Sequence, residues 1–397
     1  MSAPSSWPAA SSLCSDRPPS VAPIIRKSLQ QAKIVLVHDW LNQLGGAELV
    51  LETLVEMFPG APVFTTMYWR EGMPERYRSW DIRPTWLNRA PGIYRYHQAY
   101  LLLYPFAVRS MDVRGYDLVI SNKSGFCHGV RTERDQLHID YCLTPTRYVW
   151  DYDAYISREE ISVVARVALR PLIRWLREWD RRAADGVNHF VAISREVQQR
   201  IARYYARDSV IIYPPVRTER YHPSEAPPGD YYLIVSRLVP YKRIDLAVQA
   251  FTRLRRRLIV VGDGRDRATL QRLAGPTIQF TGRLSEREVA HLLAHCKAFV
   301  FPGCEDFGIA PVEAQAAGRP VIAYAGGGAL DTVIDGETGV LFPEQTVESL
   351  VEAVHRLDAM RFDPVHLHLH AQRFGVERFK QELLAFVARC WEEFHIR

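Results

Sequence analysis

Leu258-Ile259-Val260-Val261-Gly262-Asp263-Gly264 reads as a fully apolar strand that ends in a glycine turn. A strand without polar alternation belongs in a parallel sheet covered on both faces. The turn after it opens a helix expected over 265–273. Working outward, the same unit recurs. Tyr232-Leu233-Ile234-Val235 precedes a helix over 243–254, and Ile278-Gln279-Phe280-Thr281 precedes one over 285–295. Ala298-Phe299-Val300-Phe301 precedes one over 310–317, and Pro320-Val321-Ile322-Ala323 runs into a glycine turn. Repeated strand–helix units of this kind build a doubly wound α/β sheet, which binds ligands outside the carboxyl ends of its strands.

The pattern extends upstream. Ile34-Val35-Leu36-Val37 is a short buried strand, followed by a loop from His38 to Gly46 and a helix from Ala47 to about Met57. Residues 117–120 and 189–193 read as further strands, 158–183 and 195–206 as helices. Tyr213-Pro214-Pro215-Val216 then interrupts, because two prolines continue neither a helix nor a central strand. The expected organisation is two Rossmann-like domains, 33–213 and 217–375, facing each other across a cleft, with a last helix over 376–397. Residues 1–32 are rich in Ser, Pro and Ala and lack the apolar core of a signal peptide, so they are expected to be an unstructured tail.

Composition excludes several classes. Of 397 residues, 47% are hydrophobic and 24% charged, an ordinary globular balance. The net charge is +5, and only six of the 50 basic residues are lysines. Acidic residues are interleaved throughout, which disfavours a nucleic-acid partner. The six cysteines show neither C-x-x-C nor zinc spacing, as expected for reduced thiols in a cytoplasmic protein. No apolar run is long enough to span a bilayer.

Four strand-end loops carry the candidate chemistry. Ser236-Arg237-Leu238-Val239-Pro240-Tyr241-Lys242-Arg243 places two fixed cations, Arg237 and Lys242, where they suit a diphosphate. Gly262-Asp263-Gly264 follows a strand, where glycines let backbone amides approach an anion, although a tight turn is the usual explanation for a lone G-x-G. Gly45-Gly46 takes the equivalent place in the first half. Glu305-Asp306-Phe307-Gly308-Ile309-Ala310-Pro311-Val312-Glu313 is the most informative segment. Carboxylates near a helix start also serve as dipole partners, but two glutamates eight apart, spanning Phe-Gly-Ile, fit better as acceptors for the hydroxyls of one ligand.

Together these segments, with Gly327-Gly328 and Asp335-Gly336-Glu337-Thr338-Gly339, resemble the retaining glycosyltransferases of family 4, which have the GT-B fold. His38-Asp39-Trp40-Leu41, Gly45-Gly46-Ala47-Glu48 and Thr144-Pro145-Thr146-Arg147-Tyr148-Val149-Trp150-Asp151 narrow the resemblance to the mannosyltransferase-like branch of bacterial surface-polysaccharide synthesis. It covers roughly residues 33–375. The resemblance implies that Arg237 and Lys242 hold the donor diphosphate and that Glu305 accepts hydrogen bonds from the sugar hydroxyls. It implies that the backbone of Phe307, Gly308 and Ile309 lines sugar and phosphate, and that Glu313 binds the ribose. Gly282-Arg283-Leu284 would lie beside the base, while Gly45 and Gly46 would close on the diphosphate from the other domain. The donor it implies is a nucleotide sugar, GDP-mannose foremost, without a metal or other cofactor. The acceptor would be a saccharide or lipid-linked saccharide, and the last helix would cross back to the first domain.

Two positions depart from the family pattern. Leu143 stands where many relatives have a sugar-contacting histidine, and Asp331 stands where glutamate is common. Leu143 keeps an inactive nucleotide-sugar binder open as an alternative, beside a UDP-sugar-dependent transferase. A dinucleotide-dependent oxidoreductase fails, since no G-x-G-x-x-G follows the first strand. Asp151-Tyr152-Asp153 imitates a metal motif in the wrong context. His366, His368 and His370 read as a solvent-facing turn, and His291 and His295 as half-buried surface without a third ligand. Arg166, Arg170, Arg174, Arg177 and Arg181 form a stripe beside Leu169, Leu172, Ile173, Leu176 and Trp179. That helix, expected to kink at Pro171, suits either an anionic membrane surface or a face packed on the first domain.

Overall fold

The structure, a computed structural model, describes residue 29 and residues 31–151 and 163–396. Seven parallel strands form the first sheet: β1 (Ile34–His38), β2 (Val63–Thr65), β3 (Ile82–Pro84), β4 (Leu118–Lys123), β5 (Leu137–Cys142), β6 (His189–Ala192) and β7 (Ser209–Ile211). Their order is β3-β2-β1-β4-β5-β6-β7. Six parallel strands form the second: β8 (Tyr231–Val235), β9 (Arg257–Val261), β10 (Ile278–Gly282), β11 (Ala298–Phe301), β12 (Val321–Tyr324) and β13 (Gly339–Phe342). Their order, β10-β9-β8-β11-β12-β13, is the six-strand dinucleotide-type order. Both sheets reverse direction beside their first strand, between β1 and β4 and between β8 and β11. Those reversals leave crevices at the carboxyl ends of the strands, where ligand sites of such sheets form.

The apolar strands lie where their composition puts them. Val35, Leu36 and Val37 in β1 and Leu258, Ile259, Val260 and Val261 in β9 are buried between helices. Five strands were not legible in the pattern. Three of them, β2, β3 and β7, have only three residues each, and β13 has four. In β5, His138 and Asp140 are fully buried and share Ser121 of β4 through hydrogen bonds of 2.8 and 2.5 Å. A buried polar pair inside a strand breaks the apolar signature while remaining partnered.

The proline segment is packed rather than free-standing: the Val216 N–H donates to the Phe374 carbonyl at 2.9 Å. The chain then crosses back, and helix Val376–Ile396 buries Phe379, Leu383, Phe386 and Trp391. Phe379 meets Tyr141 of β5 edge-on, with ring centroids 5.4 Å apart. Leu29, inside the stretch expected to be a tail, is buried in the same core; residues 1–28 lie outside the described residues.

The arginine-striped helix runs from Val163 to Ala184 as one element, with Pro171 inside it. The expected residues 158–162 and the side chain of Arg166 lie outside the described residues. Ile173, Leu176 and Trp179 pack into the first domain, and Arg170 and Arg174 stay exposed. Arg177 donates to the Val149 carbonyl at 2.7 Å, and Arg181 pairs with Glu178 at 3.0 Å. Among the described residues, no helix is long and apolar enough to cross a membrane.

Candidate functional site

The two switch crevices face each other. After β8 the loop carries Arg237 and ends in the short turn Pro240–Lys242; after β11 the loop carries Glu305 and enters helix Ile309–Ala316. From the first sheet, Gly45 caps helix Gly46–Met57. A Cβ on Gly46 would lie 2.9 Å from Ile309 Cδ1, so the two domains touch at this point. A side chain at position 46 would require the Ile309 methyl to shift.

Lys242 and Glu305 form an ion pair, with side chains 13% and 21% exposed. Arg237 is exposed, and its guanidinium donates to the Tyr241 hydroxyl at 3.2 Å. Phe307 turns its ring into the core against Tyr213 and Phe374, leaving its backbone at the helix entrance. Gly308 has φ +88°, and the helix begins at Ile309. The first amides of a helix have no intrahelical acceptor, so they remain available to an anion. Gly328 braces this loop: its N–H donates to the Glu305 carbonyl at 2.8 Å, and a Cβ there would overlap Phe307 Cα.

Other expected residues stand elsewhere. Glu313 is one turn into the helix, held against the Tyr221 hydroxyl, and burial raises its carboxyl above the usual range. It does not meet Glu305; their partners are Tyr221 and Lys242. Gly282 closes β10, Arg283 is exposed and Leu284 packs against the core. Gly262 and Gly264 differ from expectation. The Gly262 N–H donates to the Gly282 carbonyl at 2.8 Å, and that of Gly264 to Asp263 Oδ1 at 2.9 Å. The helix starts three residues later, at Arg267. Gly262 has φ +125°, and a Cβ would overlap the Ser236 carbonyl oxygen. These glycines admit the Arg237 loop: Leu238 N–H reaches the Asp263 carbonyl at 3.0 Å.

The histidines at 366, 368 and 370 lie on helix Pro364–Gln372, not on a solvent-facing turn. His368 contacts the Ala316 carbonyl at 2.6 Å and His370 contacts Gln315 at 2.6 Å, supporting helix Ile309–Ala316 from behind. Burial lowers the His370 pKa to about 4, so it supports that helix as a neutral imidazole. His291 and His295 pack ring to ring, 4.4 Å apart. Among the described residues, no cluster of His, Cys, Asp or Glu is arranged to hold a metal ion. Asp151 is 3.8 Å from Arg200, and Tyr152 and Asp153 lie outside the described residues. Leu143, at the end of β5, is half-buried against the core.

The structure adds charged residues to which the sequence assigned no role. Asp306 is paired with Arg147 and, at 2.7 Å, with Arg200, both from the first domain. Burial works against the charge of each arginine, but the Asp306 carboxylate outweighs it and holds both cationic. Asp331 accepts from the Arg195 N–H at 3.1 Å and from the Tyr213 hydroxyl at 3.0 Å. The aspartate in place of the family glutamate thus spans the domains. A charged residue directly after Glu305 was the one signal available for Asp306.

Residues 217–364 match the family model for glycosyl transferases group 1. That match takes in the whole of the second sheet, from β8 to β13. A GDP-mannose-dependent alpha-(1-6)-phosphatidylinositol monomannoside mannosyltransferase of Mycobacterium tuberculosis is 31% identical over 208 residues, 45% of this chain. The aligned part is 54% of that relative's length, so the chain spans about half of it. An uncharacterized glycosyltransferase of Methanocaldococcus jannaschii is 23% identical over 82% of this chain and 88% of its own. Among solved structures, HepE of Anabaena in complex with UDP superposes with a TM-score of 0.68 at 19% identity, over 90% of this chain and 100% of its own. The chain has the GT-B glycosyltransferase fold, in agreement with the family 4 resemblance of its motifs.

Proposed function

We propose that this chain transfers mannose from GDP-mannose to a saccharide or lipid-linked saccharide, with retention of configuration and without a metal. The observation that carries the reading is the Lys242–Glu305 pair, which joins the loops after β8 and β11, with Arg237 on the same loop as Lys242 and Gly46 of the first domain against Ile309, four residues after Glu305. A donor would divide that pair: the diphosphate takes the ammonium, and the sugar hydroxyls donate to the carboxylate. The C1–O bond to the phosphate breaks while the acceptor oxygen bonds to C1 on the same face. The acceptor's proton passes to the leaving phosphate oxygen, so no protein nucleophile is required. At an effective dielectric of about 20, one cation about 4 Å from the departing phosphate contributes on the order of 4 kcal/mol of Coulomb energy before desolvation. Two cations fixed in advance supply the charge stabilisation that a bound metal supplies elsewhere.

The test is turnover of GDP-mannose, UDP-glucose, UDP-galactose and UDP-N-acetylglucosamine by the purified protein, with acceptor glycolipids and with EDTA throughout. GDP-mannose alone is expected to be consumed. Turnover of a UDP-sugar would reassign the donor, complete loss in EDTA would overturn metal independence, and silence with every donor and acceptor would favour a binder without activity.

A peripheral position at the inner face of the plasma membrane is part of the same proposal. Phe106 and Trp175 are 57% and 43% exposed yet stacked on each other, with ring centroids 6.1 Å apart. Leu102 and Leu103 are exposed beside Phe106 in sequence, and Arg109, Arg170 and Arg174 supply positive charge on the same two elements. An apolar patch edged by arginine matches an anionic lipid surface. In flotation with vesicles containing phosphatidylglycerol, wild type is expected to float. Phe106→Asp with Trp175→Asp should reduce the bound fraction several-fold while leaving the fold intact, and wild type remaining at the bottom of the gradient would overturn the membrane assignment.

A further inference from the structure

The Asp306 cluster is held by parts that do not otherwise belong together. Arg147 begins the helical turn after β5, and the residue before it is held between two acceptors that share its single hydroxyl proton: Thr146 Oγ1 lies 2.6 Å from the Gly125 carbonyl and 2.8 Å from Asp180 Oδ1. Trp150, at the other end of that turn, donates to Asp180 Oδ2 at 2.7 Å. Arg200 comes from helix Arg195–Tyr205 and is oriented by Glu196 at 2.9 Å and by Thr144 Oγ1 at 3.4 Å. Two rigidly supported cations of the first domain therefore converge on one carboxylate of the second. Asp306 is only 14% exposed, and its loss would leave Arg200 with Glu196 and Asp151, and Arg147 with the more distant Glu305, as remaining counter-charges.

Asp306 is joined through one peptide bond to Glu305, whose carbonyl is fixed by Gly328. Movement of the first domain toward or away from the second therefore acts on the residue next to the carboxylate proposed to hold the sugar. The chain around Gly326–Gly328 is tight enough to transmit that movement, since a Cβ on Gly327 would overlap the Glu305 carbonyl oxygen. Of the nucleotide-side residues, Arg237 and Glu313 have other neighbours, Tyr241 and Tyr221, and Lys242, though paired with Glu305, sits on a turn closed by its own N–H to the Val239 carbonyl at 3.1 Å.

We propose that Asp306 is a positioning residue: clamped by Arg147 and Arg200, it makes the aim of Glu305 depend on approach of the two domains. The proposal rests on the nucleotide-sugar reading above. Domain approach then sets the transfer step, and binding of the nucleotide diphosphate does not require it. A misplacement of about 1 Å at a reacting centre costs on the order of 100-fold in rate.

The test uses Asp306→Asn, Asp306→Arg and the exchange Asp306→Arg with Arg200→Asp in the full chain. Three readouts are taken: kcat for transfer, the dissociation constant for GDP by calorimetry, and the radius of gyration by solution scattering without substrate. Asp306→Asn is expected to lower kcat about 10- to 100-fold while GDP affinity stays within about threefold. Asp306→Arg should add an increase in radius of gyration, because it opposes two arginines. The exchange should recover part of both losses. Parallel loss of kcat and GDP affinity, or an unchanged radius of gyration with Asp306→Arg, would overturn the clamp. A wild-type chain without turnover would end the transferase reading, and scattering of wild type, Asp306→Arg and the exchange would still decide the clamp.

Discussion

Lys242→Ala is expected to lower kcat/KM for transfer by about 10²- to 10³-fold, the range seen when one preorganised charge-stabilising donor is removed. The side chain leaves a one-turn helix whose backbone lies against the loop after β11: a Cβ on Gly303 would come 2.9 Å from the Lys242 carbonyl oxygen. The ammonium is therefore delivered to Glu305 by two loops in mutual contact, and little else in the crevice can replace it. Its loss leaves a carboxylate 21% exposed without its cation and a diphosphate with Arg237 alone. Affinity for GDP should fall together with the rate, measured by calorimetry beside initial velocities. Glu305→Ala separates the roles: transfer should fall by a similar factor, with GDP affinity held within a few-fold. Unchanged rate and affinity in Lys242→Ala would remove it from the diphosphate site, and equal loss of both in Glu305→Ala would move that residue to the nucleotide.

Asp39→Ala is expected to destabilise the protein by on the order of 4 kcal/mol or more, from four orphaned donors at about 1 kcal/mol each as a lower bound. The Asp39 side chain is buried and accepts four backbone N–H groups: Ser124 at 2.7 Å, Gly125 at 2.6 Å, Phe126 at 2.6 Å and Cys127 at 2.8 Å. No neighbouring group is placed to replace two carboxylate oxygens at once. Against a typical domain stability of about 5–15 kcal/mol, such a loss takes much of the folded population. Denaturant unfolding followed by far-UV circular dichroism measures it. Asp39→Asn keeps one acceptor oxygen and should fall between wild type and alanine. A loss below about 1 kcal/mol for Asp39→Ala would mean that the loop after β4 is held by something else. The consequence reaches the crevice, since that loop and Gly45-Gly46 flank the same switch point.

His38-Asp39-Trp40 shows how a motif can be legible while its work is not. The residues mark a branch of glycosyltransferases in the sequence, yet their neighbours lie some 85 positions away in β4 and the loop after it. His38 contacts Asn122 at 3.2 Å and Asp39 caps Ser124–Cys127, while Trp40 meets Tyr104, 64 positions on, edge to face with centroids 5.6 Å apart. The glycines of Gly262-Asp263-Gly264 teach the same lesson in the other direction. Their presence at a strand end suggested an anion site, but backbone proximity to Ser236–Leu238 explains them. Spacing identifies which loop a glycine serves only when the neighbouring loop is known.

What the sequence by itself determined was the succession of units: apolar runs that must be buried on both faces, each followed by a turn and an amphipathic helix. Those are local signals, and they placed β8 to β12 of the second domain and the four helices after β8, β9, β10 and β11 within a residue or two, together with the loops bearing Arg237, Lys242 and Glu305; β13 and the helices Val347–Asp358 and Pro364–Gln372 were not legible. The tertiary structure alone decided which charges meet. Arg147, Arg200 and Asp306 are scattered over 160 positions and carry no periodicity, so only the facing of two switch crevices brings them to one point. Burial then makes their choice of partner matter, because a charge removed from water must be compensated by whichever opposite charge the fold has put within reach.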